Sequence, residues 1–267
     1  MNPYRIAAIA LRQFYLMRSS PTRILPLFAW VAVDIVLWGF ISRYLDEVAA
    51  APVHFAPVLV GAVLVWNFFT RVMQGVTNAF FEDVWSRNFF NIFASPVTIS
   101  EYIAGLVLVS VVTSLLGLAA MLAIALAVFG IDYFAFGLLS AAFLLVLFLF
   151  GIALGVFACA VVLRLGPAAE WLIWPVPALL SPFVGVFYPL SVLPAWMQAI
   201  GRGLPPSYVF EEMRALLAGE PWSATRLVGS LLLAAGYVAL AWWTFAVVHR
   251  RAVRSGLLAR YSAESVG

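Results

Sequence analysis

Long apolar stretches broken by short polar punctuation dominate the chain. In order they are Ile24–Ser42, Phe55–Ala79, Tyr102–Phe129, Phe134–Leu163, Trp171–Leu190 and Leu227–Val248. Each approaches or exceeds the roughly 20 residues that a helix needs to cross a bilayer. Barrel strands alternate apolar and polar positions with period two, and these runs do not. The pattern therefore predicts an all-α integral membrane protein with about six spans over residues 24–248. The fifth run is interrupted by Pro175, Pro177, Pro182 and Pro189. Proline in a membrane helix needs neighbours, often beside a cavity, to satisfy the carbonyls it frees.

Composition agrees with this class. Of 267 residues, 65% are hydrophobic and 10% charged, and the mean hydropathy is +1.04. Soluble domains carry about 25% charged residues to wet their surface. The net charge of +3 is small and scattered, which excludes a nucleic-acid binder. All 15 basic residues are arginine, and Cys159 is the only cysteine, so neither an internal disulfide nor a cysteine-based zinc site can be drawn.

The arginines set an expected orientation. Arg5, Arg12, Arg18 and Arg23 precede the first run, and Arg250, Arg251, Arg254 and Arg260 follow the last. The segment Arg43–His54 sets one arginine against Asp46 and Glu47, and Gly130–Tyr133 holds only Asp132. Excess arginine stays cytoplasmic, so both termini are expected inside, as an even number of spans requires. Residues 1–23 are not a cleavable leader on this reading, because the following run is too long and holds Asp34. They read instead as an amphipathic interfacial helix. Arg5 and Arg12 share one face, with Ile6, Ala10, Phe14 and Met17 on the other. A frayed basic tail would also account for these charges, and residues 249–267 form a second basic tail.

Two connections are too patterned to be plain loops. In Phe80–Ser100, Glu82 and Asp83 suit a helix start, and Trp85, Phe89, Ile92 and Phe93 recur at helical spacing. Arg87 and Asn91 fall on another side, Ser95-Pro96 stops the helix, and Thr98-x-x-Glu101 reads as a capping box opening the third span. The aromatic stripe packs either on the protein's own helices and the membrane surface or into a partner. Beyond the fifth run, Pro194 opens a short helix ended by Gly201 and Gly203. Pro205-Pro206 opens another, with Glu211 and Glu212 early, Arg214 later and Gly219 at its end. Both are apolar but too short to span, as re-entrant or interfacial segments are.

These residues resemble the permease subunits of ABC-2 type transporters. RNFFNIFASPV before the third span carries the resemblance, together with SPFVGVFYPLSVLPAWMQAI and LPPSYVFEEMRALLAG after the fifth. Its most specific part is Phe187-Tyr188, Leu193-Pro194, Pro206 and Arg214, supported by Ser95-Pro96-Val97. The resemblance implies a subunit that dimerises with a second copy or a homologue and pairs with two copies of a separate ATP-binding subunit, which would hold ATP and magnesium. It implies a multi-pass protein of a bacterial cytoplasmic (inner) membrane. It also implies that Asp83–Ala94, with Asp83, Arg87, Phe89, Phe90, Asn91 and Phe93, is the coupling helix seated in the ATPase. The chain departs from the family pattern at Phe90 and Asn91, where relatives are often acidic, and at Glu211-Glu212, which is more acidic than expected.

Residue chemistry points the same way on ATP. A P-loop needs a lysine to reach the β- and γ-phosphates, and these residues include none. No H-E-x-x-H or G-x-S-x-G motif occurs, and His54 and His249 fall on opposite sides of the expected membrane, so neither a zinc protease nor a buried-serine enzyme is expected. Asp34 and Arg71 lie inside spans, where a charge costs about 2.5–3.5 kcal/mol, so each needs a partner or water. They pair with each other or line a substrate path. Gly151-x-x-x-Gly155 permits a close helix approach without specifying its partner. An ATP-driven exporter of an amphipathic, lipid-like, glycan or drug cargo is the expected function. An ATP-independent transporter or channel and a non-transporting membrane scaffold are the alternatives.

Overall fold

A computed structural model of the chain describes residues 1–19, 21–48, 55–86, 88–130 and 138–255. For residues 21–24, 26–28, 30, 31, 55–57, 89, 90, 93 and 138 it describes the backbone alone. Among the described residues the regular structure is helical: α1 Pro3–Arg18, α2 Pro21–Val48, α3 Phe55–Trp85, α4 Phe89–Ala94, α5 Ile99–Phe129 and α6 Leu138–Leu165 come first. They are followed by α7 Glu170–Ile173, α8 Val176–Val184, α9 Ala195–Arg202, α10 Pro205–Leu217 and α11 Ala224–Arg254. Four stretches are long and apolar enough to cross a membrane, Val58–Trp85, Ile99–Phe129, Leu139–Leu165 and Ala224–Arg254. The first expected run lies within α2, a helix of 28 residues. The protein is an all-α membrane protein.

The buried helix α3 organises the rest, packing against α2, α5 and α6. Phe69, Val72, Met73, Val76 and Phe80 are buried along it. Bulky side chains on one helix demand small ones opposite if the axes are to come close. Glycines supply that space. A Cβ at Gly151 would stand 2.9 Å from Val72 Cβ and 3.1 Å from the Phe69 carbonyl oxygen. One at Gly155 would stand 2.9 Å from Val76 Cβ and 3.0 Å from the Met73 carbonyl oxygen. The Gly151-x-x-x-Gly155 face is therefore occupied within the subunit, by α3. α5 and α11 instead leave Leu108, Val112, Leu115 and Leu116, and Leu232, Leu240 and Trp243, exposed as an apolar surface.

Several boundaries differ from the sequence expectation. α3 runs on to Trp85 rather than stopping at Ala79, so Glu82 and Asp83 close a long helix instead of opening a new one. The expected Asp83–Ala94 helix shrinks to the six residues of α4. The fifth run is not one continuous helix to Leu190. A 3-10 turn at Pro167–Ala169, α7 and α8 follow one another, with a break around Trp174-Pro175. Gly185 then ends α8 in the left-handed region at φ 65°. The prolines cannot donate to the helix ladder, and glycine adopts that φ without strain. α9 and α10 lie where the proline and glycine punctuation placed them. Residues 134–137 of the fourth run, Arg87, Asp132, His54 and the tail beyond residue 255 lie outside the described residues.

The close approach of α6 to α3 has a measurable consequence. Gly155→Leu is expected to destabilise the subunit by about 1–3 kcal/mol, because a carbonyl and a β-branched residue must give way. Thermal unfolding in detergent would show a lowered midpoint, with the number of copies per particle unchanged. A dissociated particle of unaltered stability would place this face between copies instead.

Candidate functional site

Two acidic side chains, one at the end of α3 and one at the start of α5, frame the short α4 segment. Asp83 lies in the last turn of α3, seven residues after Val76 and three after Phe80, on the face that those two bury. Its side chain is 0% exposed. A buried carboxylate is costly unless it is paired and hydrogen-bonded. Arg12 Nη2 of α1 stands 2.6 Å from Asp83 Oδ1. The Tyr102 hydroxyl of α5 donates to Asp83 Oδ2 at 2.7 Å, and Gln13 Nε2 donates to the same oxygen at 3.4 Å and to the Ala79 carbonyl at 3.2 Å. One carboxylate thus joins α1, α3 and α5.

Glu101 is the second anchor. It forms the expected capping box: Thr98 Oγ1 accepts from the Glu101 amide at 3.3 Å, and Glu101 Oε2 accepts from the Thr98 amide at 2.9 Å. The same carboxylate accepts from the Asn2 amide at 2.7 Å and faces Arg5 Nη1 at 3.5 Å. Between the anchors Ile9 presses on Gly105, where a Cβ would fall 2.6 Å from Ile9 Cγ2. α1 is therefore held along its length, and its arginine face turns toward the protein. Tyr4, Leu11, Phe14 and Tyr15 remain exposed on the outer side. Ile9 and Gln13 are the buried residues of α1.

The α4 segment is suspended between these anchors. The Asn88 amide donates to the Asp83 carbonyl at 3.1 Å, closing α3, and Asn88 Oδ1 accepts from Asn91 Nδ2 at 3.0 Å. Ile92 is buried, while Trp85 and Asn91 are exposed. Trp85 therefore does not share the buried side of α4. The side chains of Phe89, Phe90 and Phe93 lie outside the described residues.

At the opposite end, α10 ties together the broken segment and α11. Arg214 Nη1 donates to the Gly185 carbonyl at 2.8 Å, and its Nη2 donates to Glu211 Oε1 at 2.7 Å. That oxygen also accepts from the Leu190 amide at 2.9 Å. Glu212, 2% exposed, accepts from the Ser223 amide at 2.8 Å and from Arg226 Nη1 at 3.2 Å. The two glutamates thus have separate roles, one on the α8 exit and one on the α11 entry. Phe187 stacks on Trp38 of α2 with centroids 4.6 Å apart, and the Tyr188 hydroxyl donates to the Pro182 carbonyl at 3.0 Å. Pro194 caps α9, and Pro206 lies buried in the first turn of α10.

Asp34 is half-buried on α2. Arg71 is buried against α5, where a Cβ at Gly117 would lie 2.6 Å from its Nε. Among the described residues no ion pair joins Asp34 to Arg71. Gln13, and the meeting of Arg12 and Tyr102 on Asp83, escaped the sequence reading. Their partner, Asp83, is remote along the chain, and an apparent helix start masked its burial.

Comparison with family models finds a match over residues 4–218 to one described as ABC-2 type transporter. The match begins in the first turn of α1 and ends just after α10, so it contains both anchors and the α10 cluster. No curated protein matches the chain.

The Asp83 cluster should behave as one unit. Asp83→Ala strands Arg12 and the Tyr102 hydroxyl, with an expected cost of about 3 kcal/mol or more. Tyr102→Phe removes one hydrogen bond and should cost about 1–2 kcal/mol. The double variant should cost clearly less than the sum, because the two changes share a partner. Thermal unfolding of the three variants checks this, and strict additivity would dissolve the cluster into independent contacts.

Proposed function

The chain belongs to the ABC-2 type transporter family, and we propose that it is the permease subunit of an ATP-driven exporter. In this reading two copies, or one copy and a homologue, form the path for an amphipathic cargo. Each receives a separate ATP-binding subunit at the α4 end. The observation that carries the proposal is the pair of anchors around α4. A push on a short helix does little if its flanking helices yield independently. Here the end of α3 and the start of α5 are both bonded to α1, through Asp83 and Glu101. Displacement of α4 by closure of an ATPase dimer would then tilt α3, α5 and α1 together. Such rigid-body movement reshapes a path between repeats or subunits, as alternating access requires.

The energy source follows from inventory. Without lysine these residues supply no P-loop, so ATP and magnesium belong on the partner. The arginine asymmetry supports a cytoplasmic position for both termini and α4, where an ATPase can reach them, and the family resemblance supports a bacterial inner membrane. The exposed outer face of α1 suits the lipid interface, with its tyrosines at headgroup depth.

Two experiments test the reading. In a Cys159→Ser background, Asn91→Cys should react with a membrane-impermeant maleimide only in inside-out vesicles. Labelling in intact cells would reverse the topology. Phe90→Ala with Phe93→Ala should release the ATPase subunit from an affinity-tagged permease, since aromatic anchors typically cost about 2 kcal/mol or more when truncated. The thermal midpoint should stay unchanged. Full retention of the ATPase by the stable variant would remove α4 as the joint.

A further inference from the structure

α3 carries a second pattern that its charges obscure. Asn67, Gln74 and Asn78 are spaced by seven and four residues and so share one helical face. They extend over about 16 Å of helix and lie inside a stretch apolar enough to span the membrane. Asn67 and Gln74 are half-buried and Asn78 is exposed. Among the described residues none of these three side-chain amides has a hydrogen-bond partner. An unpaired amide in hydrocarbon costs a few kcal/mol, so an idle series of them on a spanning helix needs an explanation. The Thr77 hydroxyl on the same stretch is satisfied: its Oγ1 donates to the Met73 carbonyl at 3.3 Å.

Opposite Gln74 and Asn78 stands the broken segment, with Ile173, Trp174 and Pro177 forming the far wall of a groove. The Trp174 indole N–H donates to Glu170 Oε1 at 2.9 Å, which fixes the ring while leaving it 47% exposed. Among the described residues no charged side chain lines this groove. Arg71, on the flank of the same helix, lies over Gly117 of α5.

We propose that this amide face is the path for the polar head of the cargo, and that the head is uncharged and rich in hydroxyl groups, as in a glycosylated lipid. The inference rests on the exporter reading and supplies its substrate class. Amides both donate and accept, which matches a hydroxyl, whereas a phosphate or carboxylate head would call for cations. A fixed, half-exposed indole offers a flat apolar face for the C–H side of a sugar ring. The repeat along α3 lets one set of hydrogen bonds be exchanged for the next, so the head never lacks partners while its acyl chains stay in lipid.

The test uses the permease purified in nanodiscs with whatever ATPase subunit accompanies it. The probe is radiolabelled monoglucosyl diacylglycerol, with diacylglycerol and phosphatidylglycerol as competitors. Wild type should bind the glucolipid, and neither competitor should displace it at equal concentration. Gln74→Leu and Asn78→Leu should each weaken binding about fivefold, and the double variant more. Leucine suits lipid, so the fold should hold. As a check independent of these variants, Asn78→Cys in a Cys159→Ser background should be shielded from maleimide by the glucolipid. Equal binding by the double variant, displacement by either competitor, or absence of shielding would overturn the proposal. So would dissociation of two permease copies with glucolipid binding intact, which would make the amides a contact between copies. Amide-dependent binding without any associated ATPase would leave the site standing and remove the exporter reading. An associated ATPase with amide-independent binding would do the reverse.

Discussion

A carboxylate removed from water at the end of a spanning helix constrains everything around it. Asp83 is withdrawn from solvent, so α1 must deliver Arg12 and Gln13 to it, and α5 must begin where Tyr102 can reach it. Each requirement fixes a helix. α3 cannot stop at the membrane edge, because Asp83 needs its last turn to face inward. α1 cannot drift along the surface, because Arg12 and Arg5 meet acids on two different helices. Removing one partner of such a pair is far costlier than removing both, which is why the cluster holds or fails as a whole. The short α4 is thereby held as a strut between fixed ends.

The membrane class, the main helices and the punctuation of α9 and α10 were legible because they depend on local composition. Apolar run length, proline at helix starts and glycine at helix ends act within a few residues. The capping box of Thr98 and Glu101 belongs to the same category. Facing was harder to read. Arg5 and Arg12 marked α1 as amphipathic, but whether their side met protein or water depended on acids far along the chain. Gly151 and Gly155 announced a close approach without saying whether α3 or a second copy would fill it. Asp83 was misplaced because an acid beside an apolar stripe is also how a helix begins. The amides of α3 were passed over for another reason: reading a span for its charges ignores neutral polar groups, although seven-and-four spacing was available from the sequence.

Where a helix is broken inside a membrane protein, its freed carbonyls must receive donors from somewhere else. α8 ends at Gly185, and the donors are imported: Tyr188 reaches the Pro182 carbonyl and Arg214 reaches that of Gly185. These side chains stand in for missing backbone amides, so they belong to the segment's secondary structure as much as to its tertiary packing. The break and its donors form a matched set whose members lie about thirty residues apart for Gly185 and Arg214. Shifting the break by one residue would aim the carbonyls away from both. The irregular stretch is therefore one of the least adjustable parts of the chain: side chains that face it can change more freely than its course.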